Sequence, residues 1–122
     1  MNNILAYIEE FFTEKYELRV YADVYDLTTE SKAIIEDTVP ADKEAIIVGI
    51  GADNGVDAEL DLKIEGKSIT GSPWRTKAFP GNLRLMYIMH KVEGRKKFSL
   101  YGRGVGASVT LPVRLVVLLK KV

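Results

Sequence analysis

Cysteine is absent from the 122 residues of this chain, and histidine and tryptophan occur once each, as His90 and Trp74. Without thiols there is no disulfide scaffold, no thiolate metal site and no cysteine nucleophile. A zinc site needs more imidazole or thiolate ligands than the chain has. A hydrolytic triad needs its histidine beside an activated hydroxyl and an orienting acid, and no Gly-x-Ser-x-Gly turn accompanies His90. Long apolar runs are missing as well. Ala45 to Ala52 and Leu115 to Leu119 fall far short of the roughly 18 residues that suggest a membrane span. No basic stretch opens the sequence, and Glu9 and Glu10 interrupt its first apolar residues, so no targeting segment is read. These absences predict a soluble chain, made in the cytoplasm, with no cofactor and no enzymatic apparatus.

What is present suits one globular domain. Apolar residues make up 47% of the chain and charged ones 28%, enough to build a core at this length without staples. The net charge is zero, but it is divided. Residues 1–61 hold 15 Asp or Glu against 4 Lys or Arg, whereas residues 62–122 hold 2 against 13. Such a division can mark a polyanion-binding half, a head-to-tail contact between subunits, or acidic and basic strands that neighbour each other in one sheet.

Residues 1–16 are expected to be an amphipathic helix, with the domain proper in 17–122. Ile4, Ile8, Phe11 and Phe12 recur at spacings of three and four, with Leu5 and Tyr16 widening the stripe. Asn2 or Asn3 can cap its start, and Glu9 and Glu10 suit its first half. The stripe could pack on the domain's own sheet or dock on a neighbouring subunit.

From Glu17 the period changes to two. Leu18, Val20, Ala22 and Val24 alternate with Arg19, Tyr21, Asp23 and Tyr25, which predicts a half-buried strand. A second strand is expected over 32–38, followed by the turn Val39-Pro40-Ala41-Asp42-Lys43. Glu44 to Gly51 reads as a strand buried on nearly both faces. Asp53-Asn54-Gly55 is a turn, Ala58 to Ile64 an alternating strand, and Glu65-Gly66-Lys67 the turn of a hairpin into Ser68-Ile69-Thr70. Gly71 to Asn82 is expected to be the longest loop. Strands follow at Leu83–Met89 and Lys97–Tyr101, and after the connection Gly102 to Gly106 a long one from Val109 to about Leu119. The reading is mainly β: an antiparallel β-sandwich of about seven or eight strands with one N-terminal helix.

Several groups invite chemical readings. Asp53, Asn54, Asp57, Glu59 and Asp61 are oxygen-rich enough to suggest calcium, but the EF-hand order is absent, and a solvated acidic face is expected. Gly102, Gly104 and Gly106 precede a strand, not the helix that a phosphate loop requires. Lys91, Arg95, Lys96, Lys97 and Arg103, with Tyr87, Phe98 and Tyr101 nearby, could stack nucleic acid. No recognition signature accompanies them, contact with the acidic half of another copy serves at least as well, and nucleic acid is not the expected partner. Trp74 could close the end of the sandwich, anchor an interface or stack on a sugar ring.

The order of elements resembles that of the single jelly-roll domains of viral capsid and other virion proteins. The resemblance covers about residues 17–121. It runs from the Val39 to Lys43 turn into the buried strand Ala45-Ile46-Ile47-Val48-Gly49-Ile50-Gly51. Past Asp53-Asn54-Gly55 it continues through Leu60 to Ile64, the Pro80-Gly81-Asn82 lead-in and a closing strand behind a glycine-rich loop. It implies a non-enzymatic structural protein of a phage or virus, a capsid or decoration protein found in the virion, assembling with itself and with other particle proteins. Ile4, Ile8, Phe11, Phe12, Trp74, Arg95, Lys96 and Lys97 are the candidate interface residues, with no catalytic, cofactor or metal residue among them. Carbohydrate-binding modules share the architecture, so a sugar-binding module using Trp74 is the alternative.

Overall fold

The computed structural model describes residues 16–122, which form nine strands and one turn of 3-10 helix. The strands are β1 (Tyr16–Leu27), β2 (Lys32–Thr38), β3 (Lys43–Ala52), β4 (Ala58–Ile64), β5 (Lys67–Ser68), β6 (Trp74–Arg75), β7 (Leu85–Val92), β8 (Lys97–Gly104) and β9 (Val109–Lys121). The short helix is Thr76–Ala78. The helix expected over residues 1–16 lies outside the described residues except for Tyr16, which is the first residue of β1 and not the end of a helix.

Two antiparallel sheets face each other. The first has the order β1-β9-β3-β7 and the second β2-β8-β4-β5, with β6 also on β4. The pairing is nested: β1 with β9, β2 with β8, β3 with β7, and β4 with β5 and β6. A long hairpin rolled over on itself pairs early strands with late ones in this way, as in a jelly roll. Its innermost turn is Glu65-Gly66, where both residues have positive φ, 50° and 81°, the backbone that a two-residue hairpin with the right twist requires.

The core lies between the sheets. Ile47, Ile50, Leu111, Val113, Leu115 and Val117 enter it from the first sheet, and Leu60, Leu62, Phe98 and Leu100 from the second. Each such side chain contributes roughly 1.5–3 kcal/mol by leaving water. The ring of Tyr21 meets that of Phe98 edge-on at 5.9 Å, joining the sheets.

The stretch expected as one long loop contains β6 and the 3-10 turn. Thr76 holds this stretch to the start of β4: its hydroxyl donates to the Val56 carbonyl and accepts the Ala58 N–H at 3.0 Å. Gly102 and Gly104 belong to β8 and not to a connection. A Cβ at Gly102 would stand 3.3 Å from Ile34, Leu27 and Leu60, so this glycine sits where facing side chains crowd the strand.

Candidate assembly surface

The two outer faces of the sandwich differ in chemistry. β1 alternates as expected, and its aromatic side, not its aliphatic one, is turned inward. Tyr21 and Tyr25 pack on the core and Leu27 is buried, which turns Leu18, Val20, Ala22 and Val24 outward. In register beside these four stand Leu118, Val116, Arg114 and Pro112 of β9. They alternate with the buried Leu111, Val113, Leu115, Val117 and Leu119, and so share the outer face.

The next strand continues it. Ile46 of β3 pairs with Leu118 and lies between the buried Ala45 and Ile47. A bulge at Val48 shifts the register between Ile47 and Gly49, so Ile50 and Ala52 point inward and Gly49 and Gly51 outward. On β7, Met86 and Ile88 pack on the core, which leaves Tyr87 and Met89 facing out. The exposures are 56% for Leu18, 49% for Val20, 56% for Val24, 71% for Tyr87 and 60% for Met89. Among the described residues the only other large apolar side chain so exposed is Val122, at the chain's end. The apolar surface is thus concentrated on one face, along both edges of one sheet.

Polar groups are few there. Arg114 is drawn toward the 82–84 segment, where its Nη2 donates to the Leu83 carbonyl at 2.8 Å while its buried Nε has no partner. Lys91 and Glu44 form an ion pair at 3.1 Å near the other end.

The second sheet's outer face is polar and internally satisfied. Ser99 donates to Glu36, Arg103 to Glu59 and Ser68 to Asp61, at 3.2, 3.1 and 2.6 Å. The Lys63 ammonium stands 4.2 Å from the centre of the Tyr101 ring. A face whose hydrogen-bonding groups are already paired has little to gain from a partner. An apolar face gains by every Å² it removes from water.

The charge division is taken up within the fold. Because early strands pair with late ones, Glu44 meets Lys91, Glu36 meets Lys97, Glu59 meets Arg103 and Asp57 meets Arg75, in ion pairs of 2.7–3.3 Å that all cross the middle of the sequence. Arg19 and Tyr21 converge on Asp37 at 3.6 and 2.5 Å. Burial is the first cause that pushes the Tyr21 phenol above its ordinary value, and its hydrogen bond to Asp37 is the second.

The residues singled out from sequence are dispersed. Ile4, Ile8, Phe11 and Phe12 lie outside the described residues. Trp74 sits opposite Leu60 on β4, half-buried and edge-on to Phe79, with ring centres 6.2 Å apart. Arg95 and Lys96 lie in the turn between β7 and β8, where the Arg95 N–H donates to the Val39 carbonyl at 2.8 Å. Lys97 begins β8 and pairs with Glu36 at 3.3 Å. Lys97 is therefore beside the Ile64 end of β4 and Trp74 near the other, and neither is on the apolar face. Leu18, Val20 and Val24 carried a visible signal, the period of two, with nothing in it to say which side faces out.

The five oxygen-bearing residues of 53–61 turn to separate partners. Asp53 accepts the Gly55 N–H, Asn54 donates to the Phe79 carbonyl, Asp57 and Glu59 pair with arginines and Asp61 accepts from Ser68. No group of three or more His, Asp or Glu able to hold a metal occurs among the described residues. His90 is exposed on β7, opposite Ile47. No helix of the described residues is long and apolar enough to cross a membrane.

No family model and no curated protein matches the chain. Solved structures are similar to it at the level of the sandwich. The C-terminal domain of EclA, a sugar-binding protein, has a TM-score of 0.47 at 12% identity, over 79% of this chain and 78% of its own. The pili of Bacillus endospore appendages give 0.48 at 11% identity, over 88% and 89%. VP2 of the infectious bursal disease virus subviral particle gives 0.48 at 7% identity, over 88% of this chain and 33% of VP2. Capsid and pilus proteins are thus among the structures similar to this chain.

Proposed function

We propose that this domain is a non-enzymatic structural component, of the kind that builds phage or viral particles, and that it self-assembles through the outer face of its first sheet. The observation that supports this reading is the inequality of the two outer faces. One carries Leu18, Val20, Val24, Tyr87 and Met89 in the open, and the other ties its polar groups to each other. Apolar side chains left exposed along both edges of one sheet face are the mark of a surface that is covered in use. The carbohydrate reading depends on Trp74, whose half-buried ring packed against Phe79 serves better as a lid on the core than as an open platform.

The test is light scattering after size exclusion on the full chain and on a Val20→Lys, Met89→Lys variant. Both positions are exposed, so each substitution is expected to change stability by no more than about 0.5 kcal/mol and the variant to stay folded. The expected result is an oligomer for the parent chain and a monomer for the variant. A parent chain that stays monomeric at high concentration would overturn the reading, as would a variant that assembles equally well.

A further inference from the structure

β1 is an edge of the first sheet, with β9 on one side and no strand of the described residues on the other. Its ladder with β9 runs from Tyr16 to Leu27 without a register shift, and it contains neither glycine nor proline. The other edges are less regular. β2 is shorter and carries a shift between Ala33 and Ile35, β5 and β6 have two residues each, and β7 turns at Met89 to a φ of 52°. Irregularities of that kind blunt an edge, whereas a long regular edge is a template for another strand.

Asp23 shows which backbone groups are open. Its carboxylate accepts the Val24 N–H at 2.8 Å, so that N–H points away from β9. With a period of two, the N–H and C=O groups of Leu18, Val20 and Ala22 share this edge with those of Val24. An antiparallel partner must bond to those groups, and a second copy of β1 can do so in few registers. Centred on Tyr21, the pairing sets Leu18 opposite Val24 and Val20 opposite Ala22 on the outer side, and Arg19 opposite Asp23 on the inner side. Symmetry forms each pair twice. Arg19 and Asp23 then occupy non-hydrogen-bonded positions, where Cα atoms are about 4.5 Å apart and side chains lie closest. Within one copy Arg19 stands 3.8 Å from Glu17 and 3.6 Å from Asp37, longer than a charge-assisted hydrogen bond, and Asp23 is exposed.

The neighbouring registers fit less well. Centred on Val20, the pairing sets Glu17 opposite Asp23, and centred on Arg19 or Asp23 it sets that charge against its own copy. Like charges directly opposite destabilise a strand pair. Centred on Ala22, Leu18 faces Asp26 and no ion pair forms.

We propose that two copies pair β1 with β1, antiparallel and centred on Tyr21, which joins their four-stranded first sheets into one. This rests on the reading that the domain self-assembles, and it adds to the face an edge contact that the face alone does not require. Main-chain bonds and the apolar pairs hold the contact, and the two Arg19–Asp23 pairs choose its register. On pairing, Asp23 exchanges the Val24 N–H for Arg19 of the second copy, and that N–H passes to the Leu18 carbonyl opposite. The two apolar faces then lie side by side as one surface.

The test exchanges the two charges in the full chain. Arg19→Asp and Asp23→Arg chains each set like charges opposite when paired with themselves. Their self-association in sedimentation equilibrium at low salt is expected to weaken about tenfold. Mixing the two variants, or combining both substitutions in one chain, puts opposite charges together again and is expected to restore the parent affinity. A substitution that merely disturbed the fold would not be rescued in this way. Single variants that associate like the parent overturn the inference, as does association that neither the mixture nor the double exchange restores. A Tyr87→Lys, Met89→Lys chain, altered only on β7 at the far edge of the face, separates the edge from the face. It is expected to stop at the dimer. If it falls to a monomer, the edge contact is overturned and the face stands. If it assembles as the parent does, the face is overturned and the edge stands on the charge exchange. The Val20→Lys, Met89→Lys chain loses both contacts, because Val20 belongs to the edge and to the face, and a monomeric parent overturns both.

Discussion

Thr76 shows how much a single hydroxyl can hold. It is fully buried, and it connects the segment after β6 to the backbone on both sides of Asp57 through the Val56 carbonyl and the Ala58 N–H. Thr76→Val keeps the shape and removes the acceptor, leaving the Ala58 N–H buried and unpaired. The expected loss is about 1–3 kcal/mol in urea denaturation, with the fold retained. A loss under a few tenths would mean that another group takes the bond. Nothing near Thr76 in sequence announces this role, since the partners are about 20 positions away and a threonine in a loop is ordinary. Trp74 was easier to notice and harder to place. Its rarity marks it, but whether the indole faces solvent depends on Phe79, which the 3-10 turn between the two residues brings to it.

At the scale of elements, periodicity revealed most strands and failed where a strand is too short to show a period or offers two candidate inner faces. β4, β3 and β9 read correctly because one side is plainly polar or because the run is apolar throughout. β5 and β6, at two residues each, are too short to have a period. β1 offers two candidate faces, aliphatic and aromatic, and the fold chooses the aromatic one because Tyr21 can bury its ring against Phe98 while its hydroxyl reaches Asp37 at 2.5 Å on β2. That bond ties the first sheet to the second and has a pH signature. The native Tyr21 phenol is held above its ordinary value, first by burial. An unfolded tyrosine loses its proton near pH 10. Below that pH both states are protonated and the contribution is fully present. As pH rises from about 10 through the higher native value, the unfolded chain ionises first and the contribution is lost. Tyr21→Phe is expected to cost about 1 kcal/mol at neutral pH and to decline less steeply in urea midpoints taken above pH 10. Parallel alkaline slopes in parent and variant would refute this tie.

The molecule as a whole accounts for its charge pattern. The acidic and basic halves of the sequence meet near residue 61, close to the innermost turn at Glu65-Gly66, and rolling the hairpin about that turn lays one half against the other strand by strand. The division was legible from composition, but its meaning was not, because opposite charges far apart in sequence serve equally well within a chain and between chains. The nested pairing supports the first use. On the proposed reading, assembly then draws on the apolar face and not on charge. Exposed ion pairs of this kind are each worth about 0–1 kcal/mol and weaken with salt. Raising sodium chloride from about 0.05 to 1 M shrinks the screening length from over 10 Å to about 3 Å. A head-to-tail contact between acidic and basic regions would then dissociate. A contact through Leu18, Val20, Val24, Tyr87 and Met89 would persist, and would tighten in sulfate, which strengthens apolar burial. The expected outcome in light scattering is an oligomer unchanged across the chloride series and favoured at lower protein concentration in sulfate. Dissociation by chloride alone would return the interface to the charged surfaces and away from the apolar face.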